Sequence, residues 1–200
     1  MKKAAVGFRV HSGWAALVAL AVNRGTPLVL ARARVHLVET FIYKFRQPYH
    51  TAGRLPPDQA AAFVARMKSE ARRLAAGAIR KFEAELRTQG FALARCAVLL
   101  SSGRPLPALP RILASHALIH TADGELFREA LLHAAGRRGL ATVAIREREV
   151  LAAASKALRI KPNELARRIA ALGRPIGPPW SQDEKLASAL AWLALAPGRH

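Results

Sequence analysis

The stretch AAVGFRVHSGWAALVALAVNRGTPLVLARARVHLV, residues 4–38, decides the fold. Residues 4–10 are apolar apart from one arginine and predict a short strand. Residues 14–22 are continuously apolar, which is typical of a strand that is buried on both faces. In residues 28–38 apolar and cationic side chains alternate, which predicts a third strand with one solvent-exposed face. Because short turns join the three segments, the stretch predicts an antiparallel meander.

Downstream of the meander, helical and strand-like patterns alternate. After an irregular stretch at 41–57, apolar residues at helical spacing predict a long helix from Pro57 to Thr88 with a cationic outer face. Thr121 and the acids that follow it resemble a capping box, which predicts the start of a helix that runs to Ala135. The other predicted elements are strands at 91–100 and 140–146 and helices near 147–159, 162–172 and 182–196.

Composition narrows the class of protein. The 200 residues are 52% hydrophobic and carry a formal net charge of +19, so we expect one folded domain spanning 1–200 with a surface that attracts polyanions. The single cysteine, Cys96, lies in an apolar run and predicts a buried, inert thiol. No apolar run reaches the length of about 20 residues that a membrane-spanning helix needs. We therefore expect a cytoplasmic protein that does not act on a membrane.

Two short motifs add a resemblance to a known family. Residues 6–13, VGFRVHSG, resemble the first strand and turn of RuvC-type resolvases, whose pattern is hydrophobic-Gly-hydrophobic-Asp-x-Gly. Residues 185–191, KLASALA, resemble the last helix of that family, Asp-Ala-Ala-Asp-Ala-Leu-Ala, and residues 139–145 take the place of its fifth strand. The chain is thus similar to the ribonuclease H-like superfamily. The resemblance implies an α/β fold with a five-stranded mixed sheet, a three-strand antiparallel meander plus two parallel strands, flanked by helices.

The departures from that family concern its active site. The resemblance implies carboxylates at the ends of strands one and four and on the last helix, where they bind two divalent metals. Here Arg9 stands in strand one, Ser101 and Ser102 follow strand four, and Lys185 and Ser188 stand on the helix. A cation at a ligand position repels the ion, so we expect a degenerate active site without metal or cofactor. This favours a protein that is not an enzyme, although the sequence leaves the question open.

The positive charge favours a non-catalytic module that binds nucleic acid, either DNA or RNA. Arg9, Ser12 and Lys185 are expected to form an electropositive pocket where the related nucleases approach phosphates. Three arginines on the long helix, Arg66, Arg73 and Arg80, would hold the backbone. Rings and cations mix at 43–50, a composition that suits stacking on unpaired bases, but it equally suits a solvated loop that plugs the edge of a core.

Two other functions remain as alternatives. The first is an enzyme, a hydrolase or nuclease, with a relocated catalytic site at 116–128. His116 and His120 share a helix face and could bind a metal with Asp123 or Glu125, or His120 could act as a general base. The same residues also fit a charged helix N-terminus with no catalytic role. The second alternative is a structural protein, a homo-oligomer that pairs through the apolar helix at 186–195.

Overall fold

The computed structural model describes residues 1–100 and 105–196 of the chain. One mixed sheet runs through it, with strand order β3-β2-β1-β4-β5. The strands are β1 (Lys2–His11), β2 (Trp14–Asn23), β3 (Thr26–His36), β4 (Phe91–Leu100) and β5 (Ala141–Arg146). Strands β1 to β3 pair antiparallel, whereas β4 and β5 run parallel to β1. This confirms the predicted five-stranded sheet with its meander and two parallel strands.

Helices cover both faces of the sheet, which gives three layers. They are α1 (Tyr43–Arg46), α2 (Pro48–Ala52), α3 (Pro57–Thr88), α4 (Leu109–Leu113), α5 (His116–Arg137), α6 (Val150–Leu158), α7 (Pro162–Ala171) and α8 (Gln182–Leu195), with a 3-10 turn at Glu147–Glu149. The core around α3 and α5 lies on one face of the sheet, and the core around α6, α7 and α8 lies on the other.

The central strands are buried on both faces, as their apolar sequence predicts. Phe8 and Leu17 belong to the core on the α3 and α5 side, whereas Val18 and Leu20 belong to the core on the α8 side. Cys96 on β4 is fully buried, and burial raises the pKa of its thiol to about 12, so the thiol is inert at neutral pH. The described residues form no helix that is both long and apolar enough to cross a membrane.

Helix α8 packs unusually close to β1, and Gly7 makes this possible. A Cβ atom at position 7 would lie 2.1 Å from the carbonyl oxygen of Ala187 and 2.9 Å from the amide nitrogen of Ala191. The apolar side of α8, including Trp192 at 2% exposure, is therefore used inside this chain. Leu193 and Leu195 of the same helix are only partly buried. The close packing brings the N-terminus of α8 beside the end of β1.

Two local predictions were wrong, and the helix predicted near 147–159 begins with a 3-10 turn. The stretch at 41–57 contains the short helices α1 and α2 instead of being irregular throughout. Helix α5 begins at His116 with Ser115 as its cap, because the Ser115 side chain accepts a hydrogen bond from the backbone of Leu118. Thr121 is no cap, since its hydroxyl donates to the carbonyl of Ala117 one turn earlier. The residues after β5 form a 3-10 turn before α6.

Candidate functional site

Strands β1, β4 and β5 run parallel, so their C-terminal ends meet at one edge of the sheet. Two polar groups lie at this edge. The Arg9 cluster, made of Arg9, His11, Glu147 and Asp183, lies on the α8 side. The histidine trio, made of His50, His116 and His120, lies on the α5 side.

In the Arg9 cluster, one guanidinium lies between two carboxylates. Its Nε is 3.1 Å and one terminal nitrogen 2.9 Å from the two carboxylate oxygens of Glu147, which makes a bidentate pair. Its other terminal nitrogen donates to Oδ1 of Asp183. The same oxygen lies 3.0 Å from Nε2 of His11. The side chain of Arg9 is 23% exposed and that of Asp183 is 19% exposed, so these charges are partly shielded from water.

The electrostatics of the cluster favour its ionised form. The hydrogen bond to Glu147 raises the pKa of Arg9, and the bond to Asp183 adds to this effect. Burial works against ionisation of Asp183, but the donors Arg9 and His11 outweigh it and hold the pKa of Asp183 below its ordinary value. The sequence predicted a pocket in which Arg9 was free to bind an anion. In the structure its charge is already compensated by two acids.

A second arginine extends this charge network across the edge. Arg128 on α5 donates from Nε to the backbone oxygen of Leu99, 2.9 Å away, near the end of β4. One of its terminal nitrogens lies 3.6 Å from a carboxylate oxygen of Glu125. Burial lowers the pKa of Arg128, and the negative charges of Glu125 and Glu147 partly offset that effect. Three carboxylates thus alternate with two arginines along the edge.

A planar stack leads from the Arg9 cluster towards solvent. Its members are His11, Trp14, Arg34, Phe41 and Arg46. The His11 and Trp14 rings stack with centroids 4.3 Å apart and planes 12° apart. The guanidinium of Arg34 lies 3.8 Å from the Trp14 centroid and 5.2 Å from that of Phe41, and Arg46 lies 4.4 Å from Phe41. Phe41 is 37% exposed, so part of its ring reaches solvent.

The histidine trio combines residues from two helices. His116 and His120 are one turn apart on α5 and both exposed, with ring centroids 4.4 Å apart. His50 on α2 is half-buried, and its ring centroid lies 4.4 Å from that of His120. One nitrogen from each of the three rings lies within 4.8 Å of those of the other two.

Asp123, predicted as a catalytic residue, is turned into the protein. It is 3% exposed and accepts hydrogen bonds from the backbone nitrogen of Tyr49, at 2.6 Å, and from Nδ1 of His50. Burial raises the pKa of Asp123, although these two donors partly offset the effect. Glu125, the fourth predicted catalytic residue, pairs with Arg128 and does not belong to the trio.

The predicted nucleic-acid-binding arginines of α3 form one exposed stripe. Arg66, Arg73 and Arg80 follow one another at seven-residue spacing, about two helical turns or 10 Å each. Arg66 lies 5.2 Å from the Phe63 ring, and Arg73 pairs with Glu39. Arg80 lies at the far end of the stripe, in a shallow surface hollow with Arg87 and Arg138.

The other predicted residues lie closer to the Arg9 cluster. Ser12 is half-buried in the turn after β1, and its backbone oxygen accepts a hydrogen bond from Nε of Arg46 at 3.3 Å. Lys185 is half-buried on α8, two residues beyond Asp183. Ser101 and Ser102, at the end of strand four, lie outside the described residues.

Four members of these groups were not among the predicted site residues: His11, His50, Glu147 and Asp183. Glu147 belongs to the Arg9 cluster, but it follows the fifth strand at a position for which the resemblance implied no acid. His50 belongs to the histidine trio, but it attracted attention only as part of an aromatic loop. No local pattern singled out His50, because rings, cations and polar residues mix around it.

The fold was compared with solved structures. The structure of T. thermophilus RuvC in complex with Holliday junction substrate aligns with a TM-score of 0.52 at 16% identity, covering 96% of this chain and 91% of that one. This chain has a RuvC-like fold. A second Thermus thermophilus RuvC structure aligns with a TM-score of 0.50 at 15% identity, covering 95% and 92%. No family model and no curated protein matches the sequence. In this RuvC-like fold, Arg9 lies near the end of the first strand and faces Asp183 on the last helix, whereas the sequence had predicted Lys185 as its neighbour from that helix.

Proposed function

We propose that this chain is a nucleic-acid-binding module with a RuvC-like fold, in which Arg9 takes the place of divalent metal ions. The observation that carries the proposal is the position of the Arg9 guanidinium between Glu147 and Asp183. One of the RuvC structures that the fold resembles is a complex with Holliday junction substrate, which makes nucleic acid the natural ligand to test.

The residues present do not fit a two-metal centre. Two divalent ions need several carboxylate oxygens that are free to coordinate them. The Glu147 carboxylate is held by two nitrogens of Arg9, and one oxygen of Asp183 is shared by Arg9 and His11. A guanidinium that is held on both sides neutralises these acids without activating water. The arrangement therefore supports binding without metal-dependent cleavage at this position.

The planar stack supports contact with unpaired bases. Planar rings and guanidinium groups stack on the π-face of any base, and such contacts do not depend on sequence. Exposed apolar side chains follow Phe41 in the chain, since Ile42 is 48% and Tyr43 is 52% exposed. A single-stranded or junction nucleic acid offers the open base faces that this surface would accept.

The arginine stripe of α3 supports contact with the phosphate backbone. The segment at 39–46 joins it to the planar stack, because Glu39 pairs with Arg73 and Lys44 lies 6.0 Å from the Phe63 ring. Stack and stripe thus form one continuous surface, on which bases would meet rings and phosphates would meet cations. The net charge of +19 adds a long-range attraction that weakens as salt is added.

Fluorescence anisotropy with labelled single-stranded, duplex and four-way-junction DNA, at about 50 and 200 mM KCl, tests the proposal. We expect binding that weakens with salt and favours the single strand and the junction over the duplex. Phe41→Ala should reduce affinity for the single strand about 5- to 100-fold, the range for loss of one stacking contact. Arg137→Ala is the matched control, because Arg137 is exposed at the opposite edge of the sheet, where α5 ends.

Two outcomes would contradict the proposal. The first is the absence of binding at low salt, or an affinity that Phe41→Ala and Arg137→Ala change equally. The second is cleavage of any of these substrates by the wild-type protein in Mg²⁺ or Mn²⁺, provided that substitution of Asp183 abolishes it. Single-domain organisation, cytoplasmic location and a homo-oligomer stay predictions alongside this one.

A further inference from the structure

We propose that the histidine trio binds one divalent transition-metal ion of the zinc type. The site would use Nε2 of His50 and one ring nitrogen each from His116 and His120. It shares no residue with the planar stack, the arginine stripe or the Arg9 cluster and does not rest on the proposed function, although the Tyr43 ring lies 6.5 Å from that of His50.

The geometry needs little adjustment to hold such an ion. Zinc binds imidazole nitrogen at about 2.0–2.1 Å, so three nitrogens at tetrahedral angles lie about 3.4 Å apart. The three nitrogens here already lie within 4.8 Å of one another. His116 and His120 are exposed on α5 and one helical turn apart, so small rotations of their side chains can close the remaining gap without moving the backbone.

Asp123 gives the strongest indication that the trio is built for a ligand. Metal-binding histidines commonly donate their second ring nitrogen to a carboxylate, which fixes the orientation and tautomer of the ring. Nδ1 of His50 is hydrogen-bonded to the buried Asp123, which leaves Nε2 as the atom available for a metal. Asp123 is itself held by the backbone nitrogen of Tyr49. A buried carboxylate thus positions His50, whose ring lies against the two histidines of α5.

The type of donor selects the type of ion. Imidazole nitrogen suits zinc, copper and nickel, whereas magnesium and calcium prefer carboxylate and carbonyl oxygen. Because the three ligands are all imidazole nitrogens, the site should bind zinc much more tightly than magnesium. Three protein ligands also leave the fourth position of a tetrahedral ion for water or an anionic ligand, which the exposed side of α5 would admit.

The test uses the full chain without an affinity tag, treated with a chelator and dialysed. Isothermal titration with ZnCl₂, repeated in the presence of a competing chromogenic chelator, gives stoichiometry and affinity. We expect one equivalent of Zn²⁺ per chain and no measurable heat from MgCl₂. Loading with Co²⁺ should produce the visible absorption bands of a tetrahedral nitrogen site.

Substitutions distinguish zinc binding by the trio from non-specific zinc binding by surface histidines. His120→Ala should weaken zinc binding at least about 100-fold, because it removes one of three ligands. Asp123→Asn keeps the shape of the buried side chain and should weaken binding about 10- to 100-fold. His133→Ala is the matched control, since His133 is an exposed histidine of the same helix outside the trio.

The inference is overturned if Zn²⁺ does not bind saturably at one equivalent, or if His120→Ala and His133→Ala bind it equally. His120 is exposed, so its replacement should leave the circular dichroism spectrum and urea midpoint unchanged, and a folded His120→Ala protein keeps the test valid. Single-strand affinity of the same variant, measured without metal, should equal that of the wild type. A loss of both would point to a shared surface and contradict the independence of the two sites.

Discussion

The two polar groups at the C-terminal edge of the sheet differ in how their charges are compensated. In the Arg9 cluster, the guanidinium of Arg9 is hydrogen-bonded to the carboxylates of Glu147 and Asp183, so its donors are used inside the cluster. In the histidine trio, three imidazoles converge and a single buried carboxylate holds one of them from behind. The charged groups of the Arg9 cluster are paired with one another, whereas the histidine trio brings three ring nitrogens within 4.8 Å of one another.

This difference teaches that the number of acids near a site does not identify a metal centre. Three carboxylates lie along the edge, and each of them is paired with an arginine. Burying ionised groups is costly unless each has a partner. The acidic residues at this edge are therefore held as members of ion pairs.

We expect the largest effect from a substitution that disturbs the close packing of α8 on β1, on which the Arg9 cluster depends. Gly7→Ala would place its Cβ 2.1 Å from a backbone oxygen of α8, which a side-chain rotation cannot relieve. We expect it to lower the free energy of unfolding by about 3 kcal/mol or more, measured by urea denaturation. Hydrogen exchange should accelerate in α8 more than in α5. Gly136→Ala is the control, because a Cβ there meets no atom within 4 Å and alanine favours the helix.

Removing the cation should have the next largest effect. Arg9→Met leaves Glu147 and Asp183 without their shared partner, and we expect a loss of about 1–3 kcal/mol in unfolding free energy, discounted for partial exposure. Arg137→Met removes an exposed cation and should cost less than about 0.5 kcal/mol. If Arg9→Met proves as stable as Arg137→Met, the cluster is not held together by its charges.

The ion pairs of the Arg9 cluster should also make the free energy of unfolding depend on pH. Because the pKa of Asp183 is held below its ordinary 3.8, the ionised carboxylate stabilises the fold above that pH, and this contribution is lost as the pH falls through the lowered pKa. Between pH 5 and acid unfolding, the wild type should therefore lose more stability than Asp183→Asn, by about 1 kcal/mol. Parallel curves for the two proteins, measured by denaturant titration at each pH, would contradict this.

The smallest effects concern the helix caps that hold each group in place. Ser181 caps α8 in a full capping box with Glu184, so Ser181→Ala should cost about 1 kcal/mol. Ser115 caps α5 through a longer contact, 3.5 Å to the nitrogen of Leu118, and Ser115→Ala should cost about half as much. Thr121→Ala should cost less than either. If Thr121→Ala and Ser115→Ala lower the thermal stability equally, the conclusion that Ser115 and not Thr121 caps α5 is contradicted.

Much of the fold could be predicted because its strands carry a local signal. Residues 14–22 are apolar throughout since both faces of β2 are buried, and the periodicity of α3 reflects burial of a single stripe. The errors occurred where two local signals compete. The residues from Thr121 to Glu125 resemble a helix start, but they lie inside α5 because Ser115 caps the helix six residues before Thr121.

The sites were less predictable, because their members come together only through packing. The pair His116 and His120 follows from helical spacing, whereas His50 joins them because α2 packs against α5. Asp123 is polar and lies beside the histidines in sequence, so it was predicted as a ligand. Its inward direction depends on the position of Tyr49, which no local pattern reveals.

The sequence by itself determined the order of the strands and helices, the cationic surface and the presence of Arg9 in the first strand. These are properties of single segments, which follow from side-chain periodicity and charge. Only the tertiary structure decided that Arg9 is bound between Glu147 and Asp183 and that His50 completes a trio with His116 and His120. Both depend on which residues distant in the chain meet when the apolar faces pack, and no local pattern encodes that meeting.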